Sequence, residues 1–229
     1  MTKSKTRSAF LTLLATLALP LSANADLITW TDWTDITNTS ATGMMGDISV
    51  RVTSSDSYIN GPSQTECGTN WWTEPDATNP AYTGGSIDNA PTPCEQVGLD
   101  SVVQLTATFS SPVDTLYMAI LSAGRFSSAY TVTYDFDAAF SVDSDGVGYW
   151  SGGNPGGYTL GAGDTISMNE FHGVLAFNDP ITTLTFSTSP NEYWHAFTFG
   201  TATSVPEPGT LALFGLGLLG IAAARRRKA

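Results

Sequence analysis

Tyr130-Thr131-Val132-Thr133-Tyr134-Asp135-Phe136-Asp137 places bulky residues at every second position with polar residues between them. A period of two belongs to a strand with one buried face, because successive side chains leave a strand on opposite sides. The same beat returns at Val103, Leu105, Ala107 and Phe109, and at Leu184 and Phe186 among threonines and a serine. Tyr193, His195, Phe197 and Phe199 continue it on one face of a last strand. Threonine and aromatic residues are plentiful, as strands favour, and no stretch of the body carries a helical stripe. Turn signals punctuate the second half: Ser111-Pro112, Ser122-Ala123-Gly124, Asp145-Gly146, Gly161-Ala162-Gly163-Asp164 and Asn178-Asp179-Pro180. The pattern predicts an all-β fold. It is a single β-sandwich, jelly-roll-like, of roughly nine to eleven strands over residues 26–204.

Charge separates this body from its two ends. The chain has 229 residues, with 9 Lys+Arg against 21 Asp+Glu. Seven of the basic residues are terminal: Lys3, Lys5, Arg7, Arg225, Arg226, Arg227 and Lys228. Residues 26–204 keep only Arg51 and Arg125 against 20 acids, a net charge of −18. A body this acidic has no basic patch for nucleic acid. Hydrophobic content of 41% and aromatic content of 11% exclude a disordered chain.

Residues 1–25 read as a secretory signal. A basic start precedes an apolar run from Ala9 to Leu21, and Ala23-Asn24-Ala25 supplies the small-x-small cleavage pattern. Signal peptidase is the partner this implies. The opposite end has three parts: Val205-Pro206-Glu207-Pro208-Gly209, an apolar stretch from Leu211 to Ala224, and the basic Arg225-Arg226-Arg227-Lys228. As a helix the apolar part reaches only about 21 Å, short of a ~30 Å hydrocarbon core, so it spans with help from snorkelling arginines and local thinning. The basic cluster holds the C-terminus in the cytoplasm and leaves the body outside the inner membrane. Two prolines keep the chain extended beside the membrane, the form in which a protease takes a substrate. Gly215-Leu216-Gly217-Leu218-Leu219-Gly220 fits G-x-G-x-x-G, but no strand precedes it and no βαβ unit surrounds it.

The order of Val205-Pro206-Glu207-Pro208, short span and Arg225-Arg226-Arg227 resembles the PEP-CTERM sorting signal of Gram-negative bacteria. The resemblance covers residues 205–229. It implies recognition by an exosortase, a membrane Cys protease or transpeptidase, then removal of the tail and release to the envelope or extracellular matrix. Residues 101–200 resemble a body recurrent in such proteins. The matching stretches include Phe109-Ser110-Ser111-Pro112-Val113, Gly148-Tyr149-Trp150, His172-Gly173-Val174-Leu175-Ala176-Phe177 and Glu192-Tyr193-Trp194-His195-Ala196-Phe197-Thr198-Phe199-Gly200. The usual form has Gly in place of Ala196. That resemblance implies a fold and a compartment and no reaction.

Residues 60–100 break the strand pattern with Pro62, Pro75, Pro80, Pro91 and Pro93. Cys67 and Cys94 flank the core of this stretch, and export to an oxidising compartment favours their pairing. A disulfide closing this loop stabilises by roughly 3–4 kcal/mol in the chain-entropy model. A reactive thiol would need a basic neighbour, and Glu66 and Glu95 adjoin the cysteines instead.

Chemistry-bearing motifs are few. His172 and His195 are the only histidines, and no G-x-S-x-G elbow or zinc spacing accompanies them. The reading is therefore a non-enzymatic protein with no required cofactor. Asp143-Ser144-Asp145-Gly146 sets two carboxylates two residues apart before a turn, an arrangement that suits calcium and equally an ordinary hairpin. Glu170 and Glu192 form the carboxylate pair that a polysaccharide hydrolase would need. Trp71, Trp72 and Trp150, with Tyr82 and Tyr149, offer flat apolar area for sugar rings, or else pack over the sandwich edge. Together the residues describe an exported envelope or exopolysaccharide-matrix protein that binds carbohydrate. The alternatives are an extracellular hydrolase and a purely structural matrix component. N-terminal sequencing of the exported protein is expected to begin at Asp26; a chain still starting at Met1 would refute the leader.

Overall fold

The computed structural model describes residues 25–203, apart from 57, 58, 60–62, 64–66, 102, 127–129, 151–154 and 191. Residues 1–24, within the expected leader, and all of 205–229, with Val205, Pro206, Glu207, Pro208, Arg225, Arg226 and Arg227, lie outside them.

Among the described residues fourteen strands form: β1 (Ile28–Trp30), β2 (Asp32–Ile36), β3 (Ser40–Met45), β4 (Ile48–Ser54), β5 (Val97–Leu99), β6 (Val103–Val113), β7 (Leu116–Ala123), β8 (Val132–Phe136), β9 (Ser141–Asp145), β10 (Tyr158–Leu160), β11 (Thr165–Met168), β12 (Phe171–Phe177), β13 (Ile181–Ser189) and β14 (His195–Ala202). The number exceeds the nine to eleven read from the sequence. The excess lies in strands of three or four residues, β1, β5, β10 and β11, too short to show a period. No helix occurs among the described residues.

The strands build two sheets packed as a sandwich. One runs β1-β14-β7-β12-β9, with β5 also pairing β14; the other runs β10-β11-β8-β13-β6-β4-β3-β2. Pairing between named strands is antiparallel, for example β14 on β7 with Phe197 opposite Ile120 and Phe199 opposite Met118. The alternating residues supply the core between the sheets. Leu105, Ala107 and Phe109 of β6, Tyr134 and Phe136 of β8, and Leu184 and Phe186 of β13 face Met118, Ile120, Leu175, Phe177, Phe197 and Phe199. Rings meet across the gap at 5.2 Å for Phe136 and Phe177, 5.6 Å for Phe186 and Phe197, and 5.7 Å for Phe109 and Phe199. These edge-to-face contacts suit the ring quadrupoles and bury large apolar areas. The last strand begins two residues later than its alternation suggested: Tyr193 stands 96% exposed before β14.

The six-stranded sheet is apolar on its second face too. β7 reads Leu116-Tyr117-Met118-Ala119-Ile120-Leu121, and its outward Tyr117, Ala119 and Leu121 join Val174, Ala176 and Ala196 in a second buried cluster. Its cover is the proline-rich stretch before β5, which packs Trp72, Ala81, Tyr82 and Ile87 onto that face. Cys67 and Cys94 are joined as the sequence implied. Polar fasteners complete the cover. Ser144 Oγ donates to the Ala81 carbonyl at 2.8 Å, and Glu74 accepts from Tyr82 N at 2.5 Å and Thr83 N at 2.7 Å.

Removing one large core ring tests this packing. Phe186→Ala is expected to cost about 3–5 kcal/mol, read as a lowered denaturant midpoint at unchanged slope.

Candidate functional site

β7, β12 and β14 bring three chain segments to one end of the six-stranded sheet: the turn leaving β7, the residues entering β12, and the residues entering β14. Two of these residues have left-handed backbones without being glycine, Ser122 at φ 57° and Glu170 at φ 54°. Such a conformation costs on the order of 1–2 kcal/mol for an L-residue. The two are held by each other: Ser122 Oγ donates to Glu170 Oε1 at 2.7 Å.

A buried relay continues inward from this pair. His172 Nε2 lies 3.2 Å from the same Glu170 oxygen, and His172 Nδ1 lies 3.0 Å from the Tyr82 hydroxyl. Burial, reinforced by the Glu74 and Glu170 charges, pushes the Tyr82 phenol well above its ordinary value. Tyr82 therefore keeps its proton and donates to Nδ1, which assigns the Nε2 proton to the bond with Glu170. Burial alone would raise the Glu170 carboxyl. The hydrogen bonds from His172 and Ser122 outweigh it and hold Glu170 below its ordinary 4.5. Glu170 is thus a carboxylate at neutral pH, with 14% of its side chain open to solvent.

Aromatic rings cap the relay. Trp150 lies over His172 at 6.2 Å and 30° between planes. Trp194 contacts Trp150 at 5.6 Å and Trp71 at 5.0 Å, and Trp71 meets Trp150 at 6.2 Å. Tyr149 packs on Trp150 at 5.0 Å. The outer side of this group is open, with Trp150 46% and Tyr149 40% exposed. Gly148 makes the approach feasible, because a Cβ there would stand 2.2 Å from His172 Nδ1. The Gly148-Tyr149-Trp150 stretch is therefore one device: glycine for close passage, then two rings set above the histidine.

The sequence candidates divide on this map. Trp71 and Trp150 join the aromatic group. Trp72 does not: it is 1% exposed and packs edge-on against Tyr82 at 5.1 Å under the loop. Tyr82 is likewise interior. Trp194 was missed as a binding candidate, although it sits between exposed Tyr193 and buried His195 at a strand entry. His172 and His195 do not face each other. β7 separates their strands, and His195 turns into the core against Tyr134 at 5.6 Å. His195 Nδ1 is 3.2 Å from Glu192 Oε2 but without hydrogen-bond geometry. Glu170 and Glu192 grip the same β7 turn from its two flanks, Glu170 at Ser122 Oγ and Glu192 at Gly124 N at 2.9 Å.

Asp143 and Asp145 have separate structural roles. Asp143 accepts from Ser86 Oγ at 2.6 Å and Ser86 N at 3.1 Å, and Asp145 accepts from Gly156 N at 2.5 Å. No group of three His, Cys, Asp or Glu placed to hold a metal occurs among the described residues.

Residues 204–228 match the family model for the PEP-CTERM protein-sorting motif. The chain carries that motif, which marks an exported protein that passes through the membrane and is handled by an exosortase. No match was found among curated proteins or solved structures.

The lowered Glu170 carboxyl fixes a pH signature. A group depressed in the folded state stabilises fully above its unfolded value and loses that contribution as pH falls through the folded one. Wild type is therefore expected to be more stable than Glu170→Gln at pH 7, with the difference shrinking below about pH 4.5. Urea midpoints of both proteins at pH 7 and pH 3 check this, and a difference undiminished at pH 3 contradicts it.

Proposed function

We propose that the mature protein is a non-enzymatic carbohydrate-binding component of the cell envelope or extracellular matrix, and that Trp71, Trp150 and Trp194 form its binding platform. One observation carries the reading. Three indoles from three distant chain segments gather at one end of the sheet, and Trp150 with Tyr149 stays open to solvent. Trp71 and Trp194 rest partly buried against the second apolar cluster and support Trp150, which stands in solvent where a satellite core would bury it as Trp72 and Tyr82 are buried. Flat apolar faces beside hydrogen-bonding groups suit sugar rings.

Chain direction adds support. β1 pairs with the far end of β14, with Ile28 opposite Ala202, and Thr203 N donates to the Leu27 carbonyl at 2.8 Å. The first and last residues of the body thus leave side by side. The platform lies at the other end of β14, about 26 Å away at ~3.3 Å per residue. A body tethered through its tail to the inner membrane would hold the platform away from the bilayer. In this proposal signal peptidase removes residues 1–25, the exosortase acts at Val205-Pro206-Glu207-Pro208, and the released body joins an exopolysaccharide matrix, as in a biofilm.

The hydrolase alternative asks one carboxyl to arrive protonated and donate to the leaving group. Glu170 is ionised and already shared between Ser122 and His172, while Glu192 is taken by the β7 turn. Both carboxylates are better explained as the framework beneath the platform.

Affinity electrophoresis of the full chain in detergent across a panel of polysaccharides tests the proposal. Trp150→Ala is expected to weaken retention about tenfold or more while leaving the thermal midpoint within a few degrees. Chelation is expected to leave retention unchanged, since Asp143 and Asp145 bind backbone and serine groups. Silence of the folded protein across the panel would overturn the binding reading in favour of a structural matrix component.

A further inference from the structure

We infer that the platform takes an amino-sugar polymer, a chain of sugar rings carrying free ammonium groups, in preference to an acidic or uncharged glycan. The inference rests on the carbohydrate-binding reading and adds the charge of the ligand. Ring geometry limits the shape first. Trp71, Trp150 and Trp194 touch one another at centroid separations of 5.0, 5.6 and 6.2 Å. Rings that close leave no space to enclose a compact cation between them, so the group offers a surface and not a cage. A surface suits a ring of a polymer.

Charge then selects among polymers. Glu170, ionised and partly open, lies beneath the platform through His172, the residue that Trp150 covers. Glu192 holds the adjoining β7 turn, and Asp145 binds Gly156 N, six residues beyond Trp150. Glu74 anchors the loop that carries Trp71. Arg125 is the one cation near this turn among the two in the body. Behind these groups stands a body of net charge −18. An acidic glycan approaching this end meets repulsion, and a neutral one gains nothing from the field. An ammonium on a sugar ring gains from the carboxylates and from the indole faces together.

Three β-1,4-linked oligomers of equal length isolate this term: glucosamine, N-acetylglucosamine and glucose. They differ at C2 alone, as ammonium, acetamide and hydroxyl. Titration calorimetry on the full chain in detergent is expected to rank the glucosamine oligomer first, by about tenfold at low salt. The preference is expected to collapse at about 0.5 M salt, where charges are screened within a few ångströms. Trp150→Ala is expected to weaken binding of all three oligomers about tenfold or more. Equal affinity for the three, still dependent on Trp150, would overturn the amino-sugar inference and leave the platform standing. Preference for glucosamine that survives Trp150→Ala would assign it to the acidic surface at large and overturn both. Absence of binding to any oligomer or polysaccharide, with the protein folded, would also overturn both.

Discussion

Everything at the candidate site depends on the six-stranded sheet having two apolar faces. A sheet in a sandwich needs one buried face; the other normally meets water. Here Tyr117, Ala119, Leu121, Val174, Ala176 and Ala196 cannot be left exposed without a large hydrophobic cost. The stretch between Cys67 and Cys94 meets that need. It has no regular structure to give, so it is fastened side chain by side chain, by Trp72, Tyr82, Glu74, Ser144 and a disulfide. The cover ends where the site begins: Trp72 belongs to the packing, and its neighbour Trp71 reaches Trp194 and Trp150.

The framework beneath the platform is polar and strained, and the two facts are linked. Ser122 and Glu170 hold left-handed backbones that the surrounding bonds over-determine. Glu170 satisfies Ser122 and His172, His172 satisfies Tyr82, and Trp150 closes the relay from above. A fully satisfied buried network rigidifies its surroundings, which is what a binding surface of few rings requires. Rigidity here comes from the end of the sheet and not from the loops alone.

The fold was legible wherever one face of a strand was wet. Tyr134 with Phe136, Leu105 with Phe109, and Leu184 with Phe186 announced their strands by period, because half-burial imprints alternation on the sequence. β7 and β12 are buried on both faces and carry no such imprint, so the second cluster was invisible. That loss propagated to the site. Without a second apolar face nothing distinguished Trp72, fully buried within its cover, from Trp71, partly buried at the edge of that cover. Trp194 was hidden for a related reason: alternation ran the last strand back to Tyr193, although the strand opens at His195. The disulfide and the sorting motif were legible because each is local chemistry that needs no tertiary context.

In the proposed function the six tryptophans divide by task. Trp30, Trp33 and Trp72 pack the interior, while Trp71, Trp150 and Trp194 form the platform. Six indole N–H resonances report on them separately. An NMR titration of the full chain in detergent with the glucosamine oligomer is the most direct measurement. The signals of Trp71, Trp150 and Trp194 are expected to shift saturably while those of Trp30, Trp33 and Trp72 stay fixed. Six stationary signals, or shifts spread evenly over all six, would contradict it.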